Sequence, residues 1–179
     1  MKKYNVAVAG ATGAVGEAMF DILQEREFPI NNIYALASER SEGKKVMLGS
    51  KAITVTDLAN FDFKLADIAL FSAGGAISAE FAPKAGDSGC VVIDNTSHFR
   101  YDDDIPLIVP EVNSCKIGEY KNRNIIANPN CSTIQMVVAL KPLHENFNIK
   151  RVIVSTYQSV SGAGTVSYTH LTLPTICSV

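Results

Sequence analysis

Asn130-Cys131-Ser132-Thr133 places a thiol between the short apolar run Ile125-Ile126-Ala127 and an apolar-periodic stretch from Ile134 to Leu143, the pattern of a strand giving way to a helix. A cysteine at a helix start meets unpaired backbone N–H groups and the positive end of the helix dipole, which stabilise a thiolate and make it a nucleophile. The alternative reading of the same stretch is a buried structural cysteine, since free Cys is among the most buried residue types.

A second pattern points to a nucleotide. Gly10-Ala11-Thr12-Gly13-Ala14-Val15-Gly16 follows an apolar run and opens a helical one. Glycines there permit a tight turn, close backbone approach to a pyrophosphate and close helix packing, while the helix start supplies N–H groups. The spacing is G-x-x-G-x-x-G rather than G-x-G-x-x-G, and a purely structural turn is the competing reading. About 20 residues on, NAD-binding chains place an acidic residue at the end of the second strand for the ribose 2′-OH. Here the strand ends in Ala37-Ser38-Glu39-Arg40-Ser41. Arg40, with Ser38 and Ser41 beside it, suits a 2′-phosphate, because a guanidinium fork matches phosphate and a carboxylate repels it. The expected cofactor is therefore NADP; if Glu39 rather than Arg40 faces the site, the preference becomes NAD.

Asn95-Thr96-Ser97-His98-Phe99-Arg100 offers an arginine among small polar groups, suited to an anionic substrate or phosphate, against the alternative of a solvated surface arginine. His98 is a lone loop histidine and is not assigned as a general base. Tyr157-Gln158-Ser159-Val160-Ser161-Gly162-Ala163-Gly164 has the glycine-rich, small-residue character of a loop against which a ligand lies.

The elements that must position these groups alternate. Strands are expected at 5–9, 33–37, 53–55, 68–71, 91–93, 125–127 and 152–155, with helices from Val15 to Glu25, from Ser78 (as cap) to Ala85, where Pro83 argues against a regular interior, and from Ser132 or Thr133 to about Leu140. Tyr101 to Pro110, with three consecutive aspartates and two prolines, reads as an exposed loop. Alternation of this kind implies an α/β, Rossmann-like, doubly wound and mostly parallel sheet covered on both faces. Ligands then bind beyond the carboxyl ends of the strands. Gly10, Ser72, Asn95, Cys131 and Gln158 each follow such an end.

Composition limits the rest. With 47% hydrophobic residues, 19% charged and net charge −2 over 179 residues, the chain has the makeup of a soluble globular protein with one ordinary domain. No basic excess points to nucleic acid, and no apolar span is long enough for a membrane. Cys90, Cys115, Cys131 and Cys177 show no C-x-x-C spacing and the three histidines are scattered, so neither zinc nor a disulfide framework is expected. Reduced thiols in a cytoplasmic protein are the simpler reading. Met1-Lys2-Lys3 precedes an apolar run too short for a signal peptide, which makes the two N-x-S/T sequons coincidental.

Taken together and in order, GATGAVG at 10–16, SERS at 38–41, FSAGG at 71–75, DNTSHFR at 94–100, NPNCST at 128–133 and YQSVSGAG at 157–164 resemble the amino-terminal half of aspartate-semialdehyde dehydrogenase. The resemblance implies NADP-dependent, phosphate-coupled interconversion of aspartate semialdehyde and aspartyl phosphate, on the route to lysine, threonine and methionine, through a thioester on Cys131. It further implies that Gln158 orients substrate, that Arg100 with Asn95 binds substrate or phosphate, and that Asn130 shapes the site beside the thiol. Gly10, Thr12, Gly13, Val15, Ser38, Arg40, Ser41, Ser72 and Gly74, with Ser161 and Gly162, would line the cofactor. The partners implied are a small-molecule substrate and inorganic phosphate, with a homodimer or homotetramer as the assembly. N-acetyl-glutamyl-phosphate reductase runs the same chemistry and is the nearest alternative; a nucleotide-binding module without catalysis is the alternative of another class.

The chain departs from that family in length. The expected organisation is an NADP-binding domain at 1–130, the cysteine helix and the start of an α+β substrate and dimerisation domain at 131–164, and a tail at 165–179. Most of the second domain is absent, with the general base it would supply, so weak NADP binding and little turnover are expected. The tail reads TVSYTHLTLPTICSV; its Val-Ser-Tyr-Thr-His-Leu is what one frame of a transposon-type sequencing adapter encodes, and it is expected to be non-native.

Overall fold

A computed structural model describes residues 2–157. Gln158, Ser161, Gly162 and the 165–179 tail lie outside the described residues. Residues 1–149 form one compact unit and 150–179 a second.

Seven strands form the sheet of the first unit: β1 (Tyr4–Ala9), β2 (Ile30–Ala37), β3 (Lys45–Leu48), β4 (Lys51–Asp57), β5 (Ile68–Phe71), β6 (Val91–Asp94) and β7 (Ile125–Ala127). Their order is β3-β4-β2-β1-β5-β6-β7. All neighbours are parallel except β3 and β4, an antiparallel hairpin turning at Gly49-Ser50. The chain winds outward from β1 in both directions, so the order reverses between β1 and β5. In open sheets of this type, that reversal opens a crevice beyond the strand ends.

The two-residue period of β1 feeds two cores. Ala7 and Ala9 join one apolar cluster with Leu36, Phe63, Phe71, Phe99 and residues of α2 (Gly75–Asp87). Val8 joins the other with Ala35, Val55 and Phe20 of α1 (Ala14–Glu25). Strands apolar on both faces fit a parallel sheet buried from both sides.

Several expectations are corrected. Ser78 does not cap a helix; α2 starts at Gly75 after a Gly74 cap, and Ser78 sits fully buried inside it. Pro83 is carried within α2, where a missing donor and the ring's crowding of the preceding turn would ordinarily break a helix. Tyr101 to Pro110 is only partly an exposed loop: Ile105, Ile108 and Val109 are buried, and Leu107 bridges Ala127 beside β7. Asp102 and Asp104 pair with Arg123 at 3.1 and 3.5 Å, which holds the acidic run against the body. Between this strap and β7 lie α3 (Pro110–Asn113) and a 3-10 stretch, Ser114–Asn122.

The last helix, α4 (Cys131–Phe147), runs through Pro142 and past Leu140. It ends where Asn148 turns left-handed (φ 50) and donates its N–H to His144 O. In the second unit, residues 151–157 form no strand. Ile153 is 81% exposed, and without a ladder partner among the described residues an apolar run has no reason to be a strand.

Candidate active site

The loops after β1 and β5 meet at the crevice. Gly10 has φ +87, and a Cβ there would stand 2.5 Å from Ser72 O, so only glycine lets the two turns touch. A Cβ on Gly16 would overlap Gly10 O, which is why α1 can start so close to the turn. Gly13 caps α1 and Gly74 caps α2, neither with a side-chain acceptor. Two helix starts whose first N–H groups carry no side-chain cap therefore open on one rim, as a pyrophosphate requires.

Between them lies a cavity of about 490 Å³ lined by Gly10, Thr12, Gly13, Ser38, Glu39, Asp57 and Ser72, with Leu58, Ile77 and Phe81 as its apolar wall. A cradle that a Cβ would fill, apolar walls and strand-end polar groups fit the adenosine and pyrophosphate of a dinucleotide. Of the residues singled out from sequence, Gly10, Thr12, Gly13, Ser38 and Ser72 come together here. Val15, Arg40, Ser41 and Gly74 are not part of the lining. Glu39, not Arg40, faces the cavity; both lie on a 3-10 turn, Glu39–Ser41, and are exposed. Asp57 escaped the sequence reading although it ends β4, the next strand along; its carboxylate accepts from Ala59 N and Asn60 Nδ2.

Along the same strand ends, β6 and β7 build a second cluster. Asn130 caps α4: its Oδ1 accepts from Ser132 N (3.0 Å), Ser132 Oγ (2.6 Å) and Thr133 N (3.3 Å). Cys131 is the first residue of the helix and exposed, which removes the buried structural reading. Cys90 is the buried thiol: burial, with Asp67's negative charge adding, pushes it up to about 12. Arg100 donates from Nε to Asn128 O (3.0 Å) and from Nη2 to Asn95 O (3.1 Å). Asn128 in turn donates from Nδ2 to Asn95 Oδ1 at 2.7 Å.

Beneath them, the fully buried Asp94 carboxylate accepts from Ser78 Oγ (2.7 Å), Thr96 Oγ1 (2.7 Å) and Thr96 N (3.2 Å). Asp94, Ser78 and Asn128 were not selected from sequence, because the Ser78–Asp94 and Asn128–Asn95 contacts join residues 16 and 33 positions apart. His98 is exposed and packs edge-on to Phe99. Among the described residues, no group of three or more His, Cys, Asp or Glu could hold a metal ion.

Residues 5–120 match the family model described as the NAD binding domain of semialdehyde dehydrogenase. The chain belongs to the semialdehyde dehydrogenase family. Residues 140–172 also match that family's dimerisation domain. Among its relatives, aspartate-semialdehyde dehydrogenase 2 of Vibrio cholerae is 62% identical over 163 residues, 91% of this chain and 48% of the relative. The aspartate-semialdehyde dehydrogenase of Aquifex aeolicus is 57% identical over 90% of this chain and 48% of that relative.

A crystal structure of the Vibrio cholerae aspartate semialdehyde dehydrogenase II complexed with ASA superposes with a TM-score of 0.91 at 60% identity, covering 93% of this chain and 50% of that one. The Candida albicans enzyme, solved with NADP, is 28% identical with a TM-score of 0.66 over 82% of this chain and 48% of its own. This semialdehyde dehydrogenase chain thus spans about half the length of the curated relatives it matches. It carries an oxidoreductase's Rossmann-like nucleotide-binding domain.

Proposed function

We propose that the protein to which this chain contributes interconverts L-aspartate 4-semialdehyde and 4-aspartyl phosphate, with a nicotinamide dinucleotide as redox partner and Cys131 as nucleophile. The observation that carries the reading is Cys131 standing exposed at the capped start of α4, three residues beyond the Asn128 that Arg100 grips.

In the oxidative direction the Cys131 sulfur, exposed at the first position of α4, adds to the aldehyde carbon. A dinucleotide held at the Gly10–Gly13 turn would supply the hydride acceptor that takes the thiohemiacetal on Cys131 to the thioester. Phosphate, held by the Nη1 edge of Arg100, attacks the thioester carbonyl, and the carbon–sulfur bond breaks to return Cys131 as thiolate and release the acyl phosphate. Covalent catalysis divides a difficult acyl transfer into two easier steps. Asn130 fixes the helix start, Asn95 braces Arg100, and Gln158 orients the substrate.

Gly10, Thr12, Gly13 and Ser72 hold the pyrophosphate end of the dinucleotide, with Val15 and Gly74 beside them; a role in cofactor binding is likewise proposed for Ser161 and Gly162. Glu39, which faces the cavity, is placed for the ribose 2′-OH of NAD, and a 2′-phosphate would instead call on the exposed Arg40 beside it with Ser38 and Ser41. The thiohemiacetal hydroxyl must also lose its proton, and none of the described residues is assigned as its acceptor. The region matched to the dimerisation domain supports a homodimer or homotetramer. No helix among the described residues is long and apolar enough to cross a membrane; a cytoplasmic setting is part of this proposal.

The test is phosphate-dependent reduction of NAD or NADP by this chain joined to the remaining half its relatives carry. Cys131→Ala should abolish reduction while leaving dinucleotide binding intact; reduction that survives the substitution overturns the nucleophile.

A further inference from the structure

Asn128 meets the β6 loop through three of its polar groups. Its N–H donates to Asp94 O (2.8 Å), its Nδ2 to Asn95 Oδ1 (2.7 Å), and its carbonyl accepts from Arg100 Nε (3.0 Å). The loop it grips is itself fixed from below. Asp94 is anchored by Ser78 of α2, and Asn95 N donates to Phe71 O at the end of β5. With Nε and Nη2 both committed to backbone carbonyls, Arg100 keeps one edge, Nη1, without a partner among the described residues.

On its other side Asn128 leads to the thiol by a stiff path. A residue before proline is confined to extended backbone, and Pro129, itself buried, has its φ fixed by its ring. Asn130 is then locked as the cap of α4, and Cys131 follows. No residue between the guanidinium and the thiol is left with much backbone freedom.

We infer that Asn128 is a positioning residue that sets the free edge of Arg100 relative to Cys131, so that an anion held by Arg100 is aligned with the thiol. The inference rests on the proposed roles of Arg100 and Cys131 and adds the element that couples them. An oxyanion held beside the thiol shields it, so bound phosphate slows alkylation of Cys131. Removing the Asn128 amide leaves the thiol at the helix start and the carbonyl of residue 128 in place, but releases the Asn95 side chain and with it the Asn95 carbonyl that holds Arg100 Nη2, so it weakens this response without altering the thiol's own reactivity.

The experiment uses the 179-residue chain and follows carbamidomethylation of each cysteine by iodoacetamide, with inorganic phosphate titrated against chloride at constant ionic strength. In the unsubstituted chain phosphate should slow Cys131 about tenfold and leave the exposed Cys115 unaffected, a difference of one charge-assisted contact. In Asn128→Ala the rate without phosphate should stay within about twofold, while the phosphate midpoint rises at least about tenfold. Buried Cys90 reports on folding in the same spectra; if it labels in Asn128→Ala, Asn128→Ser, whose hydroxyl is too short to reach Asn95, is read instead.

A substituted chain protected at the original phosphate concentration overturns the inference. So does a basal Cys131 rate that falls in step with the lost protection. If the unsubstituted chain shows no phosphate response while Cys131 still outruns Cys115, the reading of Arg100 as the phosphate ligand fails and the coupling with it, but the nucleophile stands.

Discussion

Replacing Gly10 by alanine tests the crevice where it is tightest. Two costs are superimposed at this position. Backbone at φ +87 is a conformation that a Cβ disfavours by about 1–2 kcal/mol. The new carbon would also stand 2.5 Å from Ser72 O, 2.7 Å from its carbonyl carbon and 3.0 Å from Ala73 N. All three are backbone atoms at the end of β5, unable to move without disturbing the β1–β5 ladder, and forced overpacking of this kind costs about 1–3 kcal/mol. The sum is about 2–5 kcal/mol, a large part of a domain's total stability.

Two other glycines separate the terms. Gly74 has φ +96 but nothing within 4 Å of its added Cβ, so Gly74→Ala should cost only the backbone term. Gly13 has φ −92 and its nearest neighbour at 3.5 Å, so Gly13→Ala should cost under about 1 kcal/mol, the scale of a changed cap. The assay is urea unfolding of the three variants by circular dichroism. With a slope of about 1–3 kcal/mol per molar urea, Gly10→Ala should lower the midpoint by about 1–2 M, Gly74→Ala by about half that, and Gly13→Ala least. Equal midpoints for Gly10→Ala and Gly74→Ala would refute the reasoning, because the close approach of the two turns would then carry no energy.

Two further outcomes follow from the site. Arg40→Ala should weaken NADP binding by about tenfold to a hundredfold and leave NAD unchanged, the loss of charge-assisted bonds to a 2′-phosphate, whereas Glu39→Ala should weaken NAD and spare NADP; calorimetric titration reads both, and equal effects of Arg40→Ala on the two dinucleotides contradict the assignment. Cys90 holds its proton up to about 12 in the folded chain, against 9.0 for a free thiol. The folded state therefore binds more protons between those values, and stability should fall as pH climbs from about 9 toward 12. Urea midpoints across that range should flatten in Cys90→Ala; an undiminished decline assigns it to other groups.

What the sequence made legible was local. β1, β5 and β7 announced themselves as apolar runs closed by glycine, serine or asparagine, and the glycine turn after β1 carried its own structural reason. The hairpin of β3 and β4 went unread: only 53–55 was expected as strand, and Lys45–Leu48 was not, although Gly49-Ser50 between alternating segments is a two-residue turn signal. β2 extends back to Ile30 because Asn31 and Asn32 bond Asn5 on the neighbouring strand, a partner too distant in sequence to see.

The same distance hid the inner framework of the site. Ser78 resembles a cap by residue type, and only the Asp94 carboxylate at the end of the neighbouring β6 explains why it is buried within α2. Three consecutive aspartates read as solvent-facing until Arg123 pairs with two of them and the apolar residues that follow turn inward. The choice between Glu39 and Arg40 was open in sequence because adjacent residues on a turn point in different directions. The fold turns Glu39 toward the cavity and leaves Arg40 outside its lining, the arrangement that favours a ribose 2′-OH over a 2′-phosphate.

The central claim, that Cys131 is the nucleophile, is tested most directly by its rate of alkylation relative to Cys115 near pH 7. Both are exposed, so access does not distinguish them; Cys131 opens a 17-residue helix behind an asparagine cap, while Cys115 lies in a 3-10 stretch. Peptide-resolved labelling with iodoacetamide should find Cys131 carbamidomethylated about tenfold faster than Cys115, with Cys90 unlabelled. Equal rates at Cys131 and Cys115 would contradict the account.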